Sequence, residues 1–364
     1  MDLSTGAWVG IGIACAFVLQ QFLHCILVQY RKSRYVLQGK HVLITGGSKG
    51  LGLEIARVFV QNGANVSVMA RGKEDLAEAK RVLTAASQRG GKVVSLEADV
   101  TNESSISKAV SDATSELGEV DICLPCAGSA STGYLLHMNK PDTFRRSMEL
   151  NYIGTVNTIN AVVPSMVARR DGDIVVVSSG LSWTAYMGYC SYVPTKFALR
   201  GFADVLRSEL KPHGVRLHHA APPTMDTPGY RLENLTKPAE CQAIEKGEPV
   251  YQADLCARAI VDSLRKGEYN IACGDFGVNM LSRASTGIAP RNNLVLDVIL
   301  APILVIVSQV YLWMWDSEIG SAKYNGVRPT KPSGPSTADS SSSQSLESKE
   351  ANGGANQRKR PSKV

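Results

Sequence analysis

This 364-residue chain lacks the usual marks of a repeat protein, a nucleic-acid binder or a metal protein. No segment recurs at a fixed period, so solenoids and propellers are excluded. No stretch interleaves aromatic with basic residues, although the formal net charge is +6. The excess gathers instead at Arg31, Lys32 and Arg34 and at Arg358, Lys359, Arg360 and Lys363. That placement suits the flank of a membrane segment and a solvated tail, with no nucleic-acid partner. The eight cysteines are scattered, and Cys123-Leu124-Pro125-Cys126 has no second pair at zinc-binding spacing. Reduced thiols in a cytosol-facing domain follow, and no metal is expected. No basic residue precedes the apolar run Ala7 to Val28, whereas three follow it. A cleaved signal peptide carries its charges the other way round.

What is present begins with that run. Its 22 residues suffice to cross a bilayer, although Gln20, Gln21 and His24 weaken its second half. The positive charges after it place the N-terminus in the lumen and the rest of the chain in the cytosol. A second apolar run of 22 residues, Leu294 to Trp315, is interrupted by Asp297, Pro302 and Gln309. It fits a span, a re-entrant hairpin or an interfacial helix, with Tyr311, Trp313 and Trp315 as an interfacial belt. The organisation expected is an anchor with its basic flank (1–35), one domain (36–290), a hydrophobic membrane segment (291–317) and a disordered Ser/Gly/Pro/Lys tail (318–364).

Within the domain, short Val/Ile-rich runs alternate with helical patterns. Strands are expected at 41–45, 66–70, 93–96, 120–124 and 174–177, with helices at 51–62 and 73–88. Continuous apolar strands imply burial on both faces and hence a parallel sheet. Alternation with helices predicts a doubly wound, Rossmann-type α/β fold.

Gly46, Gly50 and Gly52, with Ser48 and Lys49 among them, follow the first strand and open the first helix of the domain. Glycines there allow a tight turn and close approach of backbone to a pyrophosphate, which the helix N-terminus attracts. The second strand ends Met69-Ala70-Arg71, without the carboxylate that would accept from a ribose 2′-OH. Arg71 and Lys49 suit a 2′-phosphate instead, so NADPH is the cofactor expected. Asp99 and Val100, after the third strand, are candidates for the adenine edge.

Tyr192 and Lys196 are spaced to share one helix face, and Pro194 between them places Tyr192 at the helix entrance. A phenol beside an ammonium is a candidate acid–base pair. Ser179, or Ser178 beside it, offers a hydroxyl to orient a substrate oxygen. Asn151 is read both as the holder of a water that links Lys196 to solvent and as a helix-kinking residue.

In the order of these motifs, with Cys126-Ala127-Gly128 and Pro222, residues 38–280 resemble the short-chain dehydrogenase/reductase family. The resemblance implies an oxidoreductase in which Ala127, Gly128, Pro222, Thr227, Tyr192 and Lys196 also touch the cofactor. It implies Tyr192 as general acid, Lys196 as its tuning and ribose-holding partner, and pairing through long helices into a homo-oligomer. The family's usual Asn-Asn-Ala-Gly is here Pro125-Cys126-Ala127-Gly128, which loses asparagine contacts.

Within the family the chain is similar to the branch that reduces the C3 ketone of a long-chain sphingoid base at the cytosolic face of the endoplasmic reticulum. Pro222 to Tyr230, Glu233 to Pro238, Gly274 to Gly277, Met280-Leu281 and Gly287 to Pro290 carry that likeness, and residues 228–250 are expected to form a flap over the lipid. The rival readings are another lipid carbonyl (retinoid, steroid or 3-ketoacyl) and a non-catalytic NADPH-binding scaffold.

Overall fold

The computed structural model describes residues 5–138, 141–287 and 289–321. Nine strands are found among them: β1 (His41–Thr45), β2 (Asn65–Ala70), β3 (Val93–Glu97), β4 (Ile122–Pro125), β5 (Gly172–Val177), β6 (Val215–Ala220), β7 (Met225–Asp226), β8 (Tyr251–Gln252) and β9 (Asn270–Ile271). The helices are α1 (Thr5–Arg34), α2 (Gly50–Gln61), α3 (Lys73–Ala86), α4 (Glu103–Leu117), α5 (Pro141–Met148), α6 (Gly154–Arg169), α7 (Val193–Leu210), α8 (Pro228–Glu233), α9 (Ala239–Glu245), α10 (Ala253–Lys266), α11 (Phe276–Ser285) and α12 (Leu294–Ser321). A π-helical turn, Glu149–Ile153, joins α5 to α6.

Seven strands form one parallel sheet in the order β3-β2-β1-β4-β5-β6-β9. The fold is the expected doubly wound one, because alternate residues of each strand feed two separate cores. Val42 and Ile44 pack with Phe59, Val60, Ile260 and Leu264 on the α2/α10 side. Leu43 packs with Ile106, Ile159, Met166 and Leu199 on the α4/α6/α7 side. Such period-two division requires apolar side chains at every position, which is why the strands read as unbroken runs.

The fourth strand starts at Ile122, two residues later than expected. Asp121 takes over the pairing there: its N–H donates to the His41 carbonyl, and its carboxylate accepts from the His41 N–H at 2.9 Å. Winding reverses between β1 and β4, so the loops leaving their C-terminal ends part and open a crevice.

Two helices are long and apolar enough to cross a membrane by length and composition, Trp8–Arg34 and Leu294–Ser317. α12 runs unbroken through Pro302, which removes the hairpin alternative. Two of the polar residues within these runs have partners: Gln21 accepts from Asn293 at 2.7 Å, and Asp297 is buried against Arg283. The disordered tail expected from residue 318 cannot begin there, because α12 continues as helix to Ser321; residues 322–364 lie outside the described residues.

Candidate active site

The crevice beyond β1 is shaped by backbone contact. Gly46, at φ +65°, leaves no room for a side chain, since a Cβ would lie 2.9 Å from the Ala127 backbone. A Cβ on Gly52 would sit 2.4 Å from the Gly46 carbonyl oxygen. The loop after β1, the loop after β4 and the start of α2 therefore close on one another only with glycine at these places. α2 begins after Lys49 with no side-chain cap, so its first N–H groups remain available to an anion. Across the opening stands Thr227, whose methyl would lie 3.4 Å from a Cβ on Gly50. A glycine cradle, an uncapped helix N-terminus and a facing threonine fit the pyrophosphate of a dinucleotide.

At the end of β2 Arg71 is exposed, and among the described residues it has no ion-pair partner. Its charge and the Thr101 backbone N–H help hold the Asp99 carboxyl below its usual range, the hydrogen bond from Thr101 being the larger cause. Lys49 reaches Asp75 at 2.8 Å across exposed surface, a weak pair that a phosphate dianion can displace. Val100 turns inward onto Gly154, and its carbonyl accepts from Asn157 at 2.9 Å.

Tyr192 stands just before α7, with Pro194 in the first turn as its sequence position required. The Ser179 hydroxyl lies near enough to its phenol to favour the phenolate. Ser179 Oγ also accepts from the Leu181 N–H at 3.1 Å, which fixes the hydroxyl. Ser178 points elsewhere and donates to the Lys196 carbonyl at 3.0 Å. Lys196 is buried, with Nζ 3.3 Å from the Val177 carbonyl oxygen and 5.5 Å from the centre of the Tyr192 ring.

Asn151 lies in the π turn, a feature common at functional sites. Its side chain accepts from the Ser129 N–H at 2.9 Å and donates to the Ser129 carbonyl and to Thr195 Oγ1. It thereby ties α7 to the loop after β4. The Cβ that Gly128 lacks would lie 2.9 Å from Asn151 Oδ1 and 3.8 Å from Lys196 Nζ, so Gly128, Asn151 and Lys196 converge. Cys126 lies beside them with its thiol pushed up to about 12 by burial, which leaves it neutral.

An ammonium beside a phenol would by itself lower it. Burial instead raises the Tyr192 phenol well above its ordinary value, opposed by Ser179 and reinforced by Glu233. Burial also lowers Lys196 to about 8, the nearby Cys126 acting the other way. A raised phenol keeps its proton across the neutral range, so it is loaded for delivery to a far more basic alkoxide, while burial by itself makes it a weaker acid.

The expected pH profile follows from these directions. In the cofactor-free enzyme Lys196 loses its charge as pH rises through about 8. Cofactor kcat/KM should therefore fall above that pH, and Lys196→Arg, which stays charged, should abolish the fall whatever its absolute rate. Initial rates at varied cofactor concentration from pH 6.5 to 9.5 measure it.

The segment after β6 covers this site, and its lock was not read from the sequence. Lys237, with a fully buried side chain, bridges Glu233 at 3.0 Å and Glu245 at 2.6 Å. Tyr189 donates to both carboxylates, Tyr186 donates to Glu245 at 3.0 Å, and Thr132 Oγ1 donates to the Glu233 carbonyl at 2.9 Å. Acidic and basic residues four apart in a polar stretch read as surface charge. Only the docking of α8 and α9 onto the 186–189 loop buries them.

Lys237→Met leaves two carboxylates without their counter-ion, at a cost of about 3 kcal/mol. The 228–250 segment should then open and be cleaved at least ~10-fold faster in limited proteolysis, the sheet core remaining resistant. Unchanged cleavage there would show that the lock does not hold the flap.

A family model described as short chain dehydrogenase matches residues 40–237. The chain is 33% identical over 308 residues to a 3-ketodihydrosphingosine reductase of Dictyostelium discoideum, covering 80% of this chain and 92% of that one. It is 36% identical over 277 residues to the Bos taurus 3-ketodihydrosphingosine reductase, covering 76% and 82%. Among solved structures, a short-chain type dehydrogenase/reductase from Mycobacterium ulcerans superposes with a TM-score of 0.58 at 24% identity, over 65% of this chain and 88% of that one. This last likeness bears on the fold alone.

Proposed function

This chain belongs to the short-chain dehydrogenase family, and on that premise we propose that it reduces the C3 ketone of a long-chain sphingoid base with NADPH. The observation that carries the reading is the convergence of Ser179, Tyr192 and Lys196 beside a glycine cradle. The names of its relatives point to 3-ketodihydrosphingosine as substrate.

Gly46, Gly50, Gly52, Ala127, Gly128, Pro222 and Thr227 would hold NADPH, which would supply the hydride. Arg71, Lys49 and Ser48 would grip its 2′-phosphate, and Asp99 would serve the adenine edge. Val100 supports the cradle by packing on Gly154.

Ser179 orients the ketone oxygen, and the Tyr192 phenol gives that oxygen its proton. Lys196 holds the ribose and carries charge beside the phenol. Asn151 braces the loop after β4 and leads the replacement proton in from solvent. Ser178, spent on the α7 backbone, supports the geometry without touching substrate.

Two bilayer-length apolar helices favour a substrate that resides in membrane, since each buried methylene contributes about 0.8 kcal/mol to its partitioning. The basic residues after α1 favour a cytosolic active site, and the resemblance to the sphingoid-base branch points to the endoplasmic reticulum.

The test is incubation of the purified full chain with NADPH and 3-ketosphinganine, with sphinganine detected by mass spectrometry. A retinal, a 3-ketosteroid and a 3-ketoacyl thioester complete the panel. A clear preference for any of these three overturns the substrate assignment and leaves the reductase reading standing.

A further inference from the structure

At the opposite end of the sheet from the cradle, where α1 meets the domain, lies a cavity of about 670 Å³. Its lining includes Arg31, Arg34, Lys40, Arg216 and Arg265, with Asp173 the one carboxylate. The acid is already neutralised. Arg216 donates to both of its oxygens at 2.8 and 2.7 Å, His218 Nε2 lies 3.1 Å from one, and Tyr35 donates to the other. Arg216 is spent in the process, and Lys40 keeps only long contacts of 3.9 and 4.0 Å to Asp121 and Asp171.

Arg31, Arg34 and Arg265 have no carboxylate partner among the described residues. Arg265 gives one Nη to the Lys32 carbonyl at 3.2 Å, while its Nε is buried with no acceptor. The cavity thus presents several unspent cationic donors, one of them buried, and no free acid.

A second feature says what kind of anion suits it. Along α1 an adjoining groove of about 470 Å³ is lined by Phe22, Cys25, Ile26, Gln29, Tyr30 and Ser33. Tyr30 belongs to both cavities, so an apolar track on a bilayer-length helix leads directly into the basic pocket. A soluble anion would have no use for the track, and a neutral lipid none for the arginines.

We propose that this pocket binds the phosphate headgroup of an anionic glycerophospholipid, with an acyl chain lying along the Phe22–Ile26 face of α1. Basic pockets beside membrane helices on the cytosolic side recognise such headgroups. The proposal rests on the reading that α1 lies in the bilayer, and it is independent of which carbonyl the enzyme reduces. Bound there, the lipid would fix the depth and tilt of the domain through α1 and α10, which Lys32 already links by its ion pair with Asp262.

The experiment uses the full chain in lipid nanodiscs of phosphatidylcholine alone and of phosphatidylcholine with one fifth phosphatidylserine. Native mass spectrometry then counts the lipids retained per protein. Wild type should retain phosphatidylserine over phosphatidylcholine by at least ~10-fold relative to the disc composition. Arg31→Gln/Arg34→Gln, and separately Arg265→Gln, should each lower that preference several-fold, while Lys73→Gln/Lys108→Gln on the remote surface should not.

Equal retention of the two lipids by wild type, or a preference untouched by the arginine variants, overturns the site. Thermal stabilisation of the detergent-solubilised protein by inorganic phosphate equal to that by short-chain phosphatidylserine reassigns the pocket to a soluble phosphate and overturns the lipid. Failure of the protein to enter phosphatidylcholine discs at all overturns the anchoring reading and the site with it, an outcome distinct from entry without lipid preference.

Discussion

Tyr192→Phe should lower turnover at least ~100-fold while NADPH affinity stays within about twofold of wild type. The phenol is half-buried, lies beside the Ser179 hydroxyl and stays protonated across the neutral range, so it is the proton source the ketone oxygen requires. Phenylalanine keeps the ring, and with it the packing against Tyr189 at 6.0 Å between ring centres, and removes only the hydroxyl. Thermal stability should change by no more than about 1 kcal/mol, because only one half-buried neutral hydroxyl is removed. Single-turnover NADPH oxidation with saturating ketone separates chemistry from binding. If the variant kept full turnover, the rival reading of a cofactor-binding scaffold would gain, since that reading needs no proton donor. The replaced asparagine at Cys126 gave that rival its footing. The asparagine's absence is met by Asn151, which binds both the N–H and the carbonyl of Ser129 and so braces the same loop from the other side.

Arg71→Asp should weaken NADPH binding about 100-fold and leave NADH equal or tighter, reversing the preference between the two. A guanidinium can give a 2′-phosphate two charge-assisted hydrogen bonds, each worth about 1.5–3 kcal/mol. An aspartate in its place repels the dianion and accepts from a 2′-hydroxyl instead. The exposed position of Arg71 means that the substitution disturbs no packing, so the change in Kd reports the cofactor contact alone. Because Asp99 lies within reach of the same charge, the variant should also let the Asp99 carboxyl rise toward its ordinary value, the hydrogen bonds from Thr101 still holding most of the shift. Fluorescence titration with both cofactors measures the ratio, and an unchanged ratio would remove Arg71 from the assignment.

Much of the site was legible because its parts lie close along the chain. The glycine loop sits between a strand and a helix that can be read locally, and Pro194 fixes the helix entrance that places Tyr192 and Lys196 on one face. The π turn at Asn151 was anticipated only as a kink, since nothing in Glu149–Ile153 distinguishes a five-residue bond from a four-residue one. The serine pair illustrates the other limit. Two adjacent hydroxyls point to opposite sides of an extended backbone, and sequence spacing alone does not say which side faces Tyr192.

The amino-acid sequence by itself determined the parallel doubly wound sheet, the cradle, the Tyr/Lys pair and the two apolar helices. Each of these depends on periodicity or spacing within a few turns of chain, where local sterics and burial leave little choice. Tertiary structure alone decided that Ser179 and not Ser178 meets the phenol, and that burial raises Tyr192 and lowers Lys196. It also decided that Lys237 is sealed between two glutamates, and that Arg31, Arg34 and Arg265 surround one cavity. Those outcomes depend on solvent exclusion and on charges brought together from distant parts of the chain, and neither quantity exists until the elements have packed.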